Sequence, residues 1–161
     1  MKKTVKTNAA RLLDKMNIQY ELLTYDVDEN DLGAENVCRK LNIPLDASVK
    51  TLVLRGDKTG VLVACVPGSS EIDLKKLAQL SDNKKVEMIH QKEIHGLTGY
   101  LRGGVSPLGM KKQYPTFLEE SVLRQEKIIV SAGMRGLQLY LKACDLAQAI
   151  APQIGAIIKG Q

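Results

Sequence analysis

Apolar side chains recur with helical spacing in four segments of the chain. The first helix is predicted to begin at Thr7 or Asn8, either of which can cap it, and to end near Asn17. Its apolar positions share one face: Ala9, Leu12, Leu13 and Met16. The same spacing predicts three further helices: 34–41, around 74–78, and Cys144–Ala151. Pro44 marks the exit from the second helix, and Ser70 or a neighbour caps the third.

Runs rich in Val, Ile and Leu predict strands between these helices, and the clearest two form a hairpin. Val49–Arg55 and Val61–Val66 flank the polar loop Gly56–Gly60. Four further strands are predicted: Tyr20–Tyr25, Val86–His90, Glu126–Ser131 and Leu137–Leu141, the last two joined around the Gly133–Gly136 turn. The segment Ile154–Lys159 either returns to the sheet or finishes as a tail.

Glycine and proline are concentrated in the segment Gly96–Pro115, which has little of the charge expected of a disordered linker. We therefore predict an ordered loop in which the backbone comes close to itself or to a ligand. No internal repeat, low-complexity tract or linker interrupts the chain. Residues 1–161 are predicted to form a single α/β domain.

The composition narrows the class of protein. The chain has 161 residues, of which 44% are hydrophobic and 25% charged, as in ordinary globular proteins. No apolar run has the length of a signal peptide or a membrane span, so we expect a cytoplasmic location and no membrane partner. The net charge of +5 is compatible with a polyanionic partner, but charge alone carries little weight.

Cysteine and histidine spacing gives no sign of a metal site. The three cysteines are widely separated, which argues against a disulfide framework and a zinc ribbon. His90 and His95 are five residues apart, a poor spacing for joint ligation. Nucleotide-binding loops, a metalloprotease motif and a nucleophile elbow are missing, so neither a metal nor a cofactor is expected. A Cys–His hydrolase has no local support, although such pairs meet only in space.

Five segments closely resemble the signatures of one bacterial family, in the same order and with similar gaps. They are Leu23–Asp26, Val49–Leu54, Asp73–Leu77, Thr98–Gly109 and Val130–Leu137. The family is that of the YbaK editing proteins, which are relatives of the editing domain inserted in many bacterial prolyl-tRNA synthetases. The likeness runs from about residue 7 to about residue 150, so it takes in nearly the whole chain.

The resemblance implies a fold and an activity. The fold is a mixed, largely antiparallel sheet curled into a barrel-like core with peripheral helices. The activity is deacylation of cysteine wrongly esterified to tRNA(Pro), and also of Cys-tRNA(Cys), through attack of the bound cysteine's own thiol on its ester. The partners are the 3′ end of an aminoacylated tRNA and, in a transient complex, prolyl-tRNA synthetase.

The resemblance also assigns the candidate site. Lys50 matches the lysine on which the family relies, and we predict that it holds the terminal adenosine or its phosphate. The N–H groups of Gly103 and Gly104 are predicted to meet the oxyanion. The remaining substrate-binding candidates are Tyr25, Ser106, Pro107, Ser131, Gly133 and Gly136. Arg102 and Asp145 are interpreted as structural or peripheral.

Two other functions remain open at the level of the sequence. One is a deacylase of the same superfamily that releases alanine or serine and uses water. The other is a non-catalytic RNA- or protein-binding regulator, in which the glycine-rich loop only grips a nucleotide end. A measurement of turnover distinguishes a deacylase from a binding protein. The identity of the amino acid released distinguishes the two deacylases.

Overall fold

The computed structural model describes residues 6–160, and these residues form one sheet with helices packed around it. The strands are β1 (Glu21–Thr24), β2 (Ser48–Gly56), β3 (Gly60–Pro67), β4 (Val86–Met88), β5 (Thr116–Glu119), β6 (Lys127–Met134), β7 (Leu137–Lys142) and β8 (Gln153–Gly155). The helices are α1 (Asn8–Lys15), α2 (Ala34–Leu41), α3 (Leu74–Leu80), α4 (Ile94–Thr98) and α5 (Ala143–Ile150).

The strands are paired in the order β1-β7-β6-β2-β3-β5-β8, and β4 is paired with β2 beside this path. The β1–β7, β6–β7, β2–β3 and β2–β4 pairs are antiparallel, whereas β2–β6, β3–β5 and β5–β8 are parallel. The predicted mixed, largely antiparallel sheet is therefore confirmed. Among the described residues, its end strands β1 and β8 are not paired with each other, so no closed barrel is formed there.

Strand β2 has a gap along one of its edges. Its β3 edge is paired from Val49 to Gly56. On the opposite edge the ladder to β6 ends at the Val49–Val130 pair, and the ladder to β4 begins at the Leu54–Met88 pair. Within the described sheet, residues 50–52 thus have a strand on one side only.

A bulge in β6 explains why that strand leaves β2. Ser131 is opposite Gln138 and Met134 is opposite Leu137, so two residues of β6 lie between these pairs without a partner. One of them, Gly133, has φ +102°, and an added Cβ would lie 2.7 Å from the Tyr100 ring. Because a bulge bends its strand, β6 diverges from β2 immediately after Val130.

The hydrophobic core is divided between the two faces of the central hairpin. Val49, Val63 and Cys65 belong to a cluster that also contains the inner faces of α1 and α5. Leu54 and Leu62, which alternate with them, pack instead with α3. Most apolar residues of both hairpin strands are therefore buried, and this fixes the register of β2.

The predicted elements are largely confirmed, with differences at their ends. Thr7 caps α1, its Oγ1 accepting from the Ala10 N–H at 3.2 Å, but the helix ends at Lys15. Helix α3 is capped by Asp73, whose carboxylate accepts from two backbone N–H groups, and not by Ser70. Residues 153–155 return to the sheet beside β5, which decides the alternative left open for the C-terminal segment.

Two elements were not predicted. Helix α4 extends to Thr98, so it occupies the start of the segment predicted as the loop Gly96–Pro115. Strand β5 has four residues, Thr116–Glu119, three of them buried, and so short a run shows no alternation. Tertiary contacts determine both elements more than the local sequence pattern does.

Asn83 anchors the turn of the β2–β3 hairpin. Its side chain is 8% exposed and accepts hydrogen bonds from the N–H groups of Lys58 and Thr59 at 2.8 and 3.0 Å. Its amide donates to Thr59 Oγ1 and Ser81 Oγ. The hairpin turn is therefore tied to the end of α3.

We predict that Asn83→Ala lowers the free energy of unfolding by about 1–3 kcal/mol, because it leaves two backbone donors without their acceptor. Urea denaturation followed by circular dichroism measures this. The matched control is Lys84→Ala, an exposed neighbour, for which a change within about 0.5 kcal/mol is expected. Equal stabilities of the two variants would contradict the role given to Asn83.

Candidate active site

A cavity of about 420 Å³ opens beside the unpaired residues of β2. This volume lies within the usual range for small-molecule sites. Its walls come from β2, from the start of α2, from the residues after β4 and from the loop that follows α4. The end of β1, strand β6 and strand β7 also contribute lining residues, so seven separate segments of chain converge at the gap in the sheet.

The charged side chains that line the cavity are cationic. They are Lys50 and Arg102, and no Asp or Glu is found among the lining residues. Lys50 is half-buried, and within residues 6–160 its amine makes no hydrogen bond or ion pair. A cation without a counter-ion at a cavity wall favours an anionic ligand.

The loop between α4 and β5 places Arg102 and Gly103 at the cavity. The Arg135 guanidinium donates from Nε to the Arg102 carbonyl at 2.8 Å, which ties this loop to the turn between β6 and β7. Gly103 has φ +84°, a conformation that side chains rarely adopt. An added Cβ there would lie 3.0 Å from Arg135 Nε and 3.1 Å from Leu32 Cδ1.

The two predicted oxyanion donors differ in their surroundings. The Gly104 N–H donates to the Leu101 carbonyl at 2.9 Å, and Gly104 does not line the cavity. Its Cα faces β6, where an added Cβ would lie 2.9 Å from Met134 Cα. The Gly103 N–H, by contrast, has no hydrogen-bond partner within the described residues. Gly103 is therefore the better placed of the two donors.

Tyr25 and Ser131 also line the cavity. The Tyr25 N–H donates to the Gly136 carbonyl at 3.1 Å, so this tyrosine is fixed at the end of β1. Ser131 is 9% exposed, and its Oγ accepts from the Gly133 N–H at 3.2 Å. The Ser131 hydroxyl proton stays available to a ligand.

The remaining predicted residues do not line this cavity. Ser106 is fully buried, and its Oγ accepts from the Leu108 N–H at 3.3 Å. Pro107 lines a separate small cavity beside α1 and α5. Gly133 forms the β6 bulge, and Gly136 packs against the Tyr25 carbonyl. Their predicted role in contacting substrate stays a prediction.

Two cavity residues were given no role by the sequence analysis. Thr51 lies within the quoted segment Val49–Leu54, and its Oγ1 is buried without a hydrogen-bond partner among the described residues. Arg102 was interpreted as peripheral, yet it lines the cavity. The sequence signal available for Thr51 was a single threonine in a run of Val and Leu. Nothing in the sequence places Arg102 in the same cavity as Lys50.

The thiols close to the cavity are poor nucleophiles. Cys38 lines it and is 4% exposed, and burial raises the pKa of its thiol. Cys65 lies on β3 opposite Thr51, and burial raises the pKa of Cys65 to about 12. Both thiols are therefore protonated near neutral pH. Neither His90 nor His95 lines the cavity, so a Cys–His dyad is not assembled there.

Among the described residues, no group of three or more His, Cys, Asp and Glu side chains could hold a metal ion. In the same part of the chain, no helix is long and apolar enough to cross a membrane.

Residues 28–149 match the family model of the aminoacyl-tRNA editing domain. The chain belongs to the aminoacyl-tRNA editing domain family. The match takes in β2, the loop between α4 and β5 and the β6–β7 turn, so the residues that line the cavity, apart from Tyr25, lie within the matched part of the chain. The resemblance to the YbaK editing proteins is thereby confirmed.

Relatives in the family include free-standing proteins and synthetases. The chain is 50% identical over 136 residues to EbsC of Enterococcus faecalis, and the match covers 84% of this chain and 83% of EbsC. EbsC is named provisionally as a Cys-tRNA(Pro)/Cys-tRNA(Cys) deacylase. It is 32% identical over 101 residues to the proline–tRNA ligase of a Sulfurihydrogenibium species, covering 63% of this chain and 17% of the ligase.

Solved structures share the fold. One, described provisionally as a trans-editing enzyme for prolyl tRNA synthetase, superposes with a TM-score of 0.81 at 21% identity, covering 98% of this chain and all of that one. The hypothetical protein APE2540 superposes with a TM-score of 0.87 at 18% identity, covering 95% of this chain and all of that one. At these identities the likeness supports the editing-domain fold alone.

We predict that iodoacetamide labels the native protein at Cys144 alone. Cys144 is exposed, whereas burial shields Cys38 and Cys65 and keeps their thiols protonated. Mass spectrometry of the labelled protein at pH 8 should show one adduct, and the same treatment in urea should show three. Labelling of Cys38 as fast as Cys144 in the native protein would instead indicate an accessible, ionised thiol in the cavity.

Proposed function

We propose that this protein is a trans-editing deacylase that removes cysteine from Cys-tRNA(Pro), and also acts on Cys-tRNA(Cys). The observation that carries the proposal is the cavity at the open edge of β2, which holds two cations, no carboxylate and no ionised protein nucleophile. Membership of the editing family and the 50% identity to EbsC support the substrate class. In this proposal residues 1–161 form one editing domain.

In this proposal Lys50 and Arg102 bind the terminal nucleotide of the tRNA. Both lack a carboxylate partner, and phosphate oxygens are suitable acceptors for an ammonium and a guanidinium group. The aminoacyl ester then lies against the exposed segment of β2. Tyr25 and Ser131, which also line the cavity, contact the substrate as well.

The chemistry requires no protein nucleophile. The substrate thiol loses its proton, and its sulfur attacks the ester carbonyl carbon to form a tetrahedral oxyanion. The Gly103 N–H donates to that oxyanion. The bond from the carbon to the ribose oxygen then breaks, the ribose oxygen takes up a proton, and a cyclic thiolactone leaves with free tRNA as the other product. Holding the thiol near its own ester is the main contribution of the cavity.

The need for this activity follows from substrate size. A pocket for proline rejects a residue of similar volume weakly, because a small apolar difference yields only about 1–3 kcal/mol of discrimination. The cavity itself accounts for recognition of the aminoacyl end and not for the choice of tRNA. We therefore propose that prolyl-tRNA synthetase, in a transient complex, delivers the mischarged tRNA.

We predict that Lys50→Ala reduces deacylation of Cys-tRNA(Pro) about 100-fold, since a charge-assisted contact to the substrate is lost. Single-turnover release of labelled cysteine measures the effect. Lys15→Ala, which removes an exposed lysine of α1 that does not line the cavity, is the matched control and should retain full activity. Undiminished activity of Lys50→Ala would contradict the assignment.

We predict that the wild-type protein cleaves Cys-tRNA(Pro) and leaves Ser-tRNA(Pro) and Ala-tRNA(Pro) intact. Below a thiol pKa of about 8.5, the rate should rise roughly tenfold per pH unit, because only the thiolate attacks. Single-turnover rates from pH 6 to 9 measure this. Equal release of serine or alanine would favour hydrolysis by water, and binding without any turnover would favour a regulator.

A further inference from the structure

Thr51 lines the cavity, and its hydroxyl has at most a weak hydrogen-bond partner. Its Oγ1 is buried and, among residues 6–160, is the polar side-chain atom that burial leaves without a hydrogen-bond partner. The neighbouring Cys65 sulfur contacts it across the β2–β3 ladder, but a neutral thiol is a weak partner. Thr51 itself lines the cavity, and a buried hydroxyl with so weak a protein partner is a candidate donor to a ligand atom.

The backbone of Thr51 is also open towards the cavity. In an antiparallel pair the N–H and C=O groups of successive residues face alternate edges of a strand. The Ser48 carbonyl accepts from Gly68 on the β3 side, whereas the Val53 carbonyl accepts from the Ile89 N–H at 3.3 Å on the β4 side. By this alternation Thr51 faces the same edge as Val53, where the described strands leave it unpaired.

We propose that Thr51 determines which amino acid is removed, by donating a hydrogen bond from its hydroxyl to the sulfur of the substrate cysteine. This inference rests on the proposed function and deepens it. The backbone groups of Thr51 hold the aminoacyl part, which every substrate shares. The hydroxyl contacts the side-chain atom that cysteine has and alanine lacks, and it stabilises the ionised sulfur that attacks the ester.

Two properties of the free protein agree with this role. The hydroxyl has only the Cys65 sulfur as a weak partner in the folded protein, so its retention in a largely apolar strand brings little benefit to stability. Removing it should therefore separate stability from function. Valine has nearly the shape of threonine and suits a strand, which makes Thr51→Val a close test of the hydroxyl alone.

The test measures binding of two stable analogues, 3′-cysteinylamido- and 3′-alanylamido-adenosine, at pH 8.5 by calorimetry. The wild-type protein should prefer the cysteinyl analogue about tenfold, and Thr51→Val should lose this preference while keeping its affinity for the alanyl analogue. Thr51→Ser retains the hydroxyl and should keep the preference. Thermal unfolding of Thr51→Val should be unchanged or shifted upward, which excludes misfolding as the cause.

A kinetic measurement completes the test. In Thr51→Val the pH at which deacylation of Cys-tRNA(Pro) levels off should move up by about one unit, because the thiolate loses its donor. The proposal is overturned if Thr51→Val keeps the cysteinyl preference, if it weakens both analogues equally, or if the wild type shows no preference. Absence of turnover by the wild type would sink the deacylase function itself, while the binding comparison would still decide the role of Thr51.

Discussion

The separation of β6 from β2 is the constraint on which the site depends. The two strands pair only as far as Val49 and Val130, and the β6 bulge at Gly133 then turns the strand towards the Tyr100 ring. Strand β4 meets β2 again at Leu54. A sheet normally satisfies each backbone group with a neighbouring strand, so the gap beside residues 50–52, where the backbone groups of Thr51 are left unpaired, forms a binding edge for a ligand.

The chemistry around this edge is set by what surrounds it. Lys50 and Arg102 supply positive charge without a carboxylate to neutralise it, and burial keeps the Cys38 and Cys65 thiols protonated. Such a cavity can bind an anionic nucleotide end and stabilise an oxyanion, but it offers no ionised thiol of its own. This combination is better suited to a substrate that carries its own nucleophile than to a protein-centred attack.

Sequence patterns predicted the parts of this arrangement that are local. The β2–β3 hairpin and the β6–β7 turn follow from apolar runs around glycine-rich loops, and the family resemblance placed Lys50 and Gly103 together. The open edge was not predictable, because it depends on where two separate ladders stop along one strand. For the same reason Thr51 and Arg102 received no role: their significance lies in missing partners, which periodicity does not reveal.

The central claim is that the aminoacyl end of the tRNA lies against residues 50–52 of β2. Two-dimensional ¹⁵N–¹H NMR during titration with 3′-cysteinylamido-adenosine tests it most directly. The account predicts the largest shifts at the amides of Thr51, Gly103 and Ser131, with little change in the cleft between α1 and β7. Shifts centred on that cleft, at Asp14 and Lys142, would contradict it.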